Sequence, residues 1–185
     1  MPREQRLVYG EEAELYDRAR PSYPAQLIDD VLGLGREPVQ WMLDAGCGTG
    51  KAAVLFALRG IAGVGVEPDP SMAQVAQRRL ARHRWRVDIS SFEDWTGKPG
   101  EPPLDRLVCA QAWHWFTPET RFRKAHAILR RGGWLALWWN RPGVVDSPSR
   151  QAIDMAYEKW APEIAHRGVA GHELHRRKHT AHPSR

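Results

Sequence analysis

Short apolar runs alternate along the chain with segments in which apolar residues recur every three or four positions. The short runs predict strands at the following positions: Val39–Asp44, Ile61–Glu67, Arg84–Ile89, Leu104–Ala110 and Trp134–Trp139. The segments between them predict amphipathic helices. Because strands that alternate with helices in this way form a parallel sheet with helices on both faces, the pattern predicts an α/β fold of three layers.

Proline, glycine and small polar residues predict where the helices begin and end. A short first helix is expected over Glu11–Arg20. Asp69 and Thr117, each followed by a proline, are the predicted N-caps of two later helices, and Gly132-Gly133 is predicted to end the second of these. Helical spacing also predicts which residues of the helix after the first strand face the core: Val54, Leu55 and Leu58.

Composition and charge limit the possible partners and location of the protein, but they say little about its fold. The 185-residue chain has 27 basic and 22 acidic residues, and much of its net charge of +5 lies in residues 167–185. The rest is close to neutral, so nucleic acid is not an expected partner. With no apolar run long enough to cross a bilayer and no signal-peptide pattern, we expect a cytoplasmic protein. Cys47 and Cys109 lack the spacing of a zinc site, and no metal is expected.

The most informative segment is the glycine turn that follows the first strand, within residues 43–51. Alternating glycines let a ligand lie against the backbone, and the next helix presents unpaired N–H groups. The segment is not a P-loop, because Ala45 and Ala52 stand where that motif needs glycine and serine or threonine. It also lacks the G-x-G-x-x-G spacing of a dinucleotide site, in which Asp44 would repel a diphosphate.

Acidic residues at two strand ends favour a different ligand. S-adenosylmethionine carries an ammonium group and a sulfonium but no phosphate, so Asp44 suits it electrostatically. Glu67 ends the second strand 23 residues after Asp44, near the distance of about 20 residues at which doubly wound folds place a ribose-binding carboxylate. Such a carboxylate can accept both ribose hydroxyl hydrogens. The alternative for Glu67 is a solvated loop acid.

Six motifs in the chain resemble those of a known family and occur in the family's order: Tyr16–Pro24, Asp44–Gly50, Gly65–Asp69, Ser91–Trp95, Ala110–Trp115 and Leu129–Trp134. On these motifs the chain resembles class I S-adenosylmethionine-dependent methyltransferases, most of all the type 11 group that includes trans-aconitate methyltransferase-like proteins. The resemblance implies a Rossmann-like three-layer sandwich with a mainly parallel sheet. It also implies S-adenosylmethionine as cofactor and methyl transfer to a small molecule, such as a carboxylate or hydroxyl compound.

The resemblance further implies which residues contact the methionine part of the cofactor. Asp44 and the turn Gly46-Cys47-Gly48 would lie along it. The same contact is expected from two residues after the fourth strand and two near the N-terminus: Ala110, Gln111, Tyr16 and Arg20. Tyr16 and Arg20 would fold over the site, with Arg20 as partner of the cofactor carboxylate. The alternative for Arg20 is a surface arginine before a turn.

At the nucleoside end, the resemblance gives Glu67 the ribose and places Pro68 near the adenine. Family members often hold the adenine amine with an acid, whereas this chain has Ser91 at the matching position. The backbone of Phe92 is therefore expected to make that contact, with Glu93 as a helper.

His114 is the candidate general base, because it follows the fourth strand and histidine titrates in a useful range. The alternative is a histidine packed among its aromatic neighbours, Trp113 and Trp115. Transfer from an activated sulfonium also proceeds without a base, since positioning lowers the barrier.

The C-terminal part departs from the family. We predict a cofactor-binding domain over residues 1–162, with a last helix from Ser147 to about Trp160, and a basic, histidine-rich, disordered tail over residues 163–185. The β-hairpin that normally completes the family's sheet is predicted to be missing or incomplete. The alternative function is therefore a truncated, catalytically weak or inactive cofactor-binding or interaction module.

Overall fold

The structure, a computed structural model, describes residues 13–140 and 148–160. Its strands are β1 Trp41–Ala45, β2 Ala62–Glu67, β3 Trp85–Ile89, β4 Leu104–Ala110 and β5 Leu129–Trp138. Its α-helices are α1 Ala13–Ala19, α2 Ala25–Leu32, α3 Ala53–Ala57, α4 Pro70–Leu80, α5 Arg121–Ile128 and α6 Pro148–Trp160. The first two residues of the predicted N-terminal helix, and Ser147 at the predicted start of the last one, lie outside the described residues.

The five strands form one parallel sheet in the order β3-β2-β1-β4-β5. This arrangement confirms the predicted α/β fold, because parallel strands need crossover connections and helices supply them after β1, β2 and β4. The order reverses between β1 and β4, and doubly wound folds bind their ligands at such a point. The predicted absence of a C-terminal hairpin and the predicted tail fall on residues outside the described ranges.

Side chains that alternate along the strands supply both faces of the sheet. Leu43 and Leu107 belong to one buried cluster, beneath α5, whereas Met42 and Val108 belong to another, which packs against α2 and α3. Burial on both faces explains why β4 is apolar from Leu107 to Ala110.

The predicted inner face of helix α3 is right in part. Val54 and Leu55 are partly buried and pack against the core. Leu58 is wrong, since it is 67% exposed, and Ala53, Phe56 and Ala57 are buried instead.

The predicted N-caps had different outcomes. Asp69 is confirmed, because its carboxylate accepts hydrogen bonds from the backbone N–H groups of Ser71 at 2.8 Å and Met72 at 3.0 Å. Thr117 is wrong, since α5 begins only at Arg121. The Thr117 carbonyl accepts from the N–H groups of Thr120 at 3.2 Å and Arg121 at 3.0 Å, so Thr117 lies in a turn that precedes the helix.

The glycine pair 132–133 does not end a helix as predicted. Helix α5 ends at Ile128, and β5 begins directly at Leu129 and runs through both glycines. Pairing with β4 is irregular between Leu104 and Arg106, and Gly132 has φ +76°. Glycine serves here to bend a strand, which is its usual task at a bulge.

Arg106 supports the end of α2 from within the sheet. Its side chain is almost completely buried, and its guanidinium donates to the carbonyls of Val31, Leu34 and Asp105. We expect Arg106→Met to lower the free energy of unfolding by about 3 kcal/mol, because buried carbonyls lose a charged donor. Urea denaturation would measure the change.

Arg78→Met provides the matched control, since Arg78 is exposed and pairs only with exposed Glu14 among the described residues. We expect it to change the free energy of unfolding by less than about 1 kcal/mol. Equal values for Arg106→Met and the wild type would show that the apolar stem of residue 106, and not its charge, supports α2.

Candidate functional site

The candidate site lies at the carboxyl ends of β1 and β4, where the strand order reverses. Two cavities adjoin there. The first is lined by these predicted residues: Tyr16, Gly46, Gly48, Glu67, Pro68, Ser91, Phe92, Glu93, Ala110 and Gln111. The second shares the residues nearest the glycine turn and adds Arg20, Asp44 and Cys47. The structure thus brings all the predicted cofactor-binding residues to one cleft.

The glycine turn approaches the rest of the cleft too closely for side chains. Gly46 and Gly48 have φ values of +67° and +55°, a region that favours glycine. A Cβ atom on Gly46 would lie 2.6 Å from the Cβ of Ala112. The N–H groups of Gly46 and Cys47 donate to the Val66 carbonyl at 2.8 and 3.0 Å, which anchors the turn on β2. The result is a bare backbone surface against which a ligand can lie.

Asp44 is the most unusual group of the site. It is completely buried, and among the described residues no donor has full hydrogen-bond geometry to either carboxylate oxygen, although the nearby Ala53 N–H acts to lower its pKa. Burial raises the pKa of Asp44 to about 8, and the nearby charge of Glu67 adds to the effect. A buried carboxylate is stable only with a partner, so the geometry fits a cationic ligand in the second cavity.

Glu67 already holds the glycine turn in place. Its Oε2 accepts a hydrogen bond from the Gly48 N–H at 2.9 Å, and its Oε1 accepts one from the Asp69 N–H at 3.0 Å. Burial raises the pKa of Glu67 despite these two bonds. Each carboxylate oxygen can accept a second hydrogen bond, so the arrangement remains compatible with two ribose hydroxyls in the first cavity.

The far end of the first cavity is aromatic. Phe92 stacks on Phe116 with ring centroids 4.7 Å apart. The hydroxyl of Ser91 donates to the Asp94 carboxylate at 2.6 Å, and Glu93 accepts from the Thr117 N–H. The polar groups of Ser91 and Glu93 already have partners within the protein, and Phe92 and Phe116 give this end of the cavity an apolar wall, which suits a planar base.

Several lining residues were not predicted: Met72, Ala112, Trp115 and Phe116 in the first cavity, and Pro21, Tyr23, Thr49, Lys51, Ala52 and Asn140 in the second. Tyr23 and Thr49 lie within motifs on which the family resemblance rests, so the sequence could have indicated that they line the site. Burial raises the pKa of Tyr23 above its usual value, and Asp44 contributes to that rise. Asn140 follows β5 and lies in none of the six motifs, so nothing in the sequence indicated that it lines the site.

Gln111 has the one strained backbone conformation found at a non-glycine residue in the described ranges, with φ +68°. Its N–H donates to the Trp138 carbonyl at 3.0 Å, so β5 holds the strained residue in place. Strain of this kind concentrates at functional sites, and Gln111 lines both cavities.

Tyr16 and Arg20 approach the cleft from the N-terminal helix. Tyr16 lines both cavities, and the Arg20 guanidinium carbon lies 5.1 Å from the centroid of its ring. Arg20 shares the second cavity with Asp44. A cation and an anion on the same cavity fit a ligand with both an ammonium and a carboxylate group, as the sequence suggested.

His114 does not line either cavity, and its side chain is exposed. The indole N–H of Trp139 lies 3.4 Å from His114 Nδ1 and donates to it. A histidine that accepts at Nδ1 carries its proton on Nε2 when neutral, so both nitrogens are occupied. Among residues 13–140 and 148–160, the structure shows no group of three His, Cys, Asp or Glu side chains that could hold a metal.

Comparisons with known proteins agree with this geometry. Residues 42–133 match a family described as a methyltransferase domain. An uncharacterized methyltransferase of Mycobacterium tuberculosis, Rv3342, is 36% identical over 143 residues, which are 75% of this chain and 54% of that protein. The probable S-adenosylmethionine-dependent methyltransferase CRG1 of Saccharomyces cerevisiae is 28% identical over 85% of this chain and 55% of its own.

Solved structures give the same answer. A protein from Anaeromyxobacter dehalogenans, provisionally assigned as a type II methyltransferase, superposes with a TM-score of 0.60 at 27% identity, over 75% of this chain and 57% of that one. The mycolic acid cyclopropane synthase CmaA1, solved with S-adenosylhomocysteine, has a TM-score of 0.51 at 26% identity, over 61% of this chain and 40% of its own.

Fold, site and comparisons together define a class I S-adenosylmethionine-dependent methyltransferase domain. The chain belongs to that class. It spans about half the length of the curated relatives it matches. The narrower assignment to the type 11 group stays a prediction.

Proposed function

We propose that this chain binds S-adenosylmethionine in the two adjoining cavities and transfers its methyl group to a small-molecule acceptor by in-line displacement. One observation carries the proposal. Asp44 is a buried carboxylate without a charged partner among the described residues, beside a glycine turn that presents bare backbone. Phosphorylated nucleotides would be repelled there, whereas an ammonium group would be held.

The chain's own residues account for recognition of the whole cofactor. Asp44 would hold the ammonium group, Arg20 the carboxylate and Glu67 the ribose hydroxyls. The stacked rings of Phe92 and Phe116 would hold the adenine. These contacts fix both ends of the cofactor and therefore the direction in which its reactive centre faces.

The bound cofactor would supply a methyl group that its sulfonium already activates. The task of the protein is then to align the acceptor and to exclude water. Alignment of two reactants can lower the barrier by about 7–11 kcal/mol, so no catalytic triad is required. Gln111 and Trp115 border the cleft on the side of β4 and are placed to shape the acceptor's approach.

Calorimetric titration of the purified chain with S-adenosylhomocysteine, NAD and ATP would test cofactor choice. We expect binding of S-adenosylhomocysteine alone. Binding of NAD or ATP without S-adenosylhomocysteine would contradict the proposal.

Transfer is tested separately, with a labelled methyl donor and a panel of carboxylates and phenols as acceptors. Labelled product from one of these classes would support the small-molecule assignment. Binding without transfer to any acceptor would favour the alternative, a catalytically weak or inactive cofactor-binding module.

The position of His114 allows a prediction about catalysis. We expect His114→Ala to leave kcat, measured with an acceptor from the panel, within about threefold of the wild type, because the imidazole is exposed and Trp139 occupies its Nδ1. A general base contributes about 100-fold or more. A loss of that size, together with the disappearance of an acid limb from the pH profile, would show that His114 is the base.

A further inference from the structure

Helix α1 has little apolar contact to hold it on the domain. Ala13 is the one buried residue among its seven, and Leu15 is 52% exposed. A helix this short is not stable by itself in water. Polar contacts must therefore contribute much of what keeps α1 in place.

Asp17 of α1 makes polar contacts with both the glycine turn and α4. Its Oδ1 accepts a hydrogen bond from the Thr49 hydroxyl at 2.6 Å, and its Oδ2 accepts one from Arg79 Nη2 at 2.6 Å. Lys51 Nζ lies 3.6 Å from Oδ1. Thr49 and Lys51 belong to the glycine turn, and Arg79 belongs to α4. One carboxylate thus joins three separate parts of the domain.

Arg79 extends this network to the backbone of the turn. Its Nη1 donates to the Thr49 carbonyl at 2.7 Å. The Asp17 side chain is only 17% exposed, so solvent screens these contacts less than those of a surface pair. Although burial opposes it, the hydrogen bonds from Arg79 and Thr49 hold the pKa of Asp17 below its usual value. The carboxylate is therefore charged at neutral pH.

We propose that Asp17 is a positioning residue that docks α1 on the glycine turn and thereby holds Tyr16 and Arg20 over the cofactor cleft. The inference rests on the proposed function, because it gives the docked helix the task of closing that cleft over S-adenosylmethionine. Tyr16 adjoins Asp17 in the chain, and Arg20 is tied to Tyr16 by a backbone hydrogen bond of 3.0 Å. Release of Asp17 would therefore withdraw both residues together.

The test compares Asp17→Asn with Glu14→Gln. Asparagine keeps the shape of Asp17 but loses the charge that Arg79 and Lys51 contact. Glu14 also lies on α1, but it pairs with Arg78 on the exposed side of α4 and not with the glycine turn. The control therefore removes an ion pair between the same two helices without touching the proposed docking contact.

Two measurements apply to both variants. Hydrogen exchange of the ligand-free protein should show amides of residues 16–20 exchanging about tenfold faster in Asp17→Asn, while those of β1 and β4 stay unchanged. The Kd for S-adenosylhomocysteine should rise about tenfold, as expected if the helix is docked only a tenth of the time. Glu14→Gln should change neither quantity.

Wild-type exchange rates or a wild-type Kd in Asp17→Asn would overturn the inference, as would equal effects in Glu14→Gln. If Asp17→Asn fails to fold, Thr49→Val removes one of the two hydrogen bonds and should shift both quantities in the same direction, by about threefold. If the wild type binds no S-adenosylhomocysteine, the proposed function fails and cofactor closure fails with it. The exchange experiment still decides in that case whether Asp17 docks α1.

Discussion

Asp44→Asn should weaken binding of S-adenosylhomocysteine by at least about 100-fold, which corresponds to about 2.7 kcal/mol. The substitution keeps the size of the side chain and removes the charge that faces the ligand's ammonium group. The ligand-free variant should nevertheless fold at least as stably as the wild type. Its carboxylate has no charged partner among the described residues, so removing it removes an unfavourable burial. Calorimetry and thermal unfolding measure the two effects.

Asp105→Asn is the matched control for this prediction. Asp105 is also a buried aspartate on the central strands, but it lies at the opposite edge of the sheet, near the start of β4. It accepts hydrogen bonds from Arg130 and from the N–H groups of Gln40 and Trp41. We therefore expect the reverse result: lower stability and unchanged affinity. Equal loss of affinity in both variants would show that Asp44 acts only through the fold.

Affinity for S-adenosylhomocysteine should rise about tenfold between pH 6 and pH 7 and level off above about pH 8. The pKa of Asp44 is about 8 in the ligand-free protein, so at lower pH the carboxyl must release its proton before it can hold an ammonium group. Calorimetry in buffers of different ionisation enthalpy would detect the released proton at pH 7.

The same titration of Asp44 should also affect the free energy of unfolding of the ligand-free protein. This quantity should fall over the pH range in which the affinity rises. The folded-state pKa of Asp44 lies above its ordinary value of 3.8, so this residue's contribution to stability falls as the pH rises from 3.8 towards about 8. Asp44→Asn has no proton to lose there and should lack this fall, and its affinity should lack the steep rise below pH 7. An unchanged affinity profile in Asp44→Asn would assign the titration to another group.

Predictions from neighbouring residues were right where all the contacts that matter lie within one helix. Asp69 caps α4 as predicted, because its bonds reach only two and three residues along the chain. Thr117 looked equally suitable, but α5 begins four residues later, at Arg121. For α3, Val54 and Leu55 pack against the core as predicted, but Phe56 is buried and Leu58 is exposed. Local preferences are weak, and tertiary context overrides them at helix ends and in short helices.

The residues of the candidate site could also be predicted only in part from the sequence. The glycine turn and the acids at two strand ends were visible in the sequence, because parallel strands bring their carboxyl ends to one edge. Lining residues such as Met72 and Asn140 were not, since one belongs to a helical stripe that also packs in the core and the other lies in a segment without a motif.

The sequence by itself determined the parallel α/β architecture, the class of the domain and the residues that meet at the cleft. These depend on periodicity and on short motifs, both of which involve residues that are close together in the sequence. Only the tertiary structure decided that Asp44 is buried without a charged partner in the described part of the chain, while Glu67 holds two N–H groups. It also decided that Asp17 joins α1 to Arg79, 62 residues away. Burial and pairing depend on which distant residues approach each other, and no local pattern contains that information.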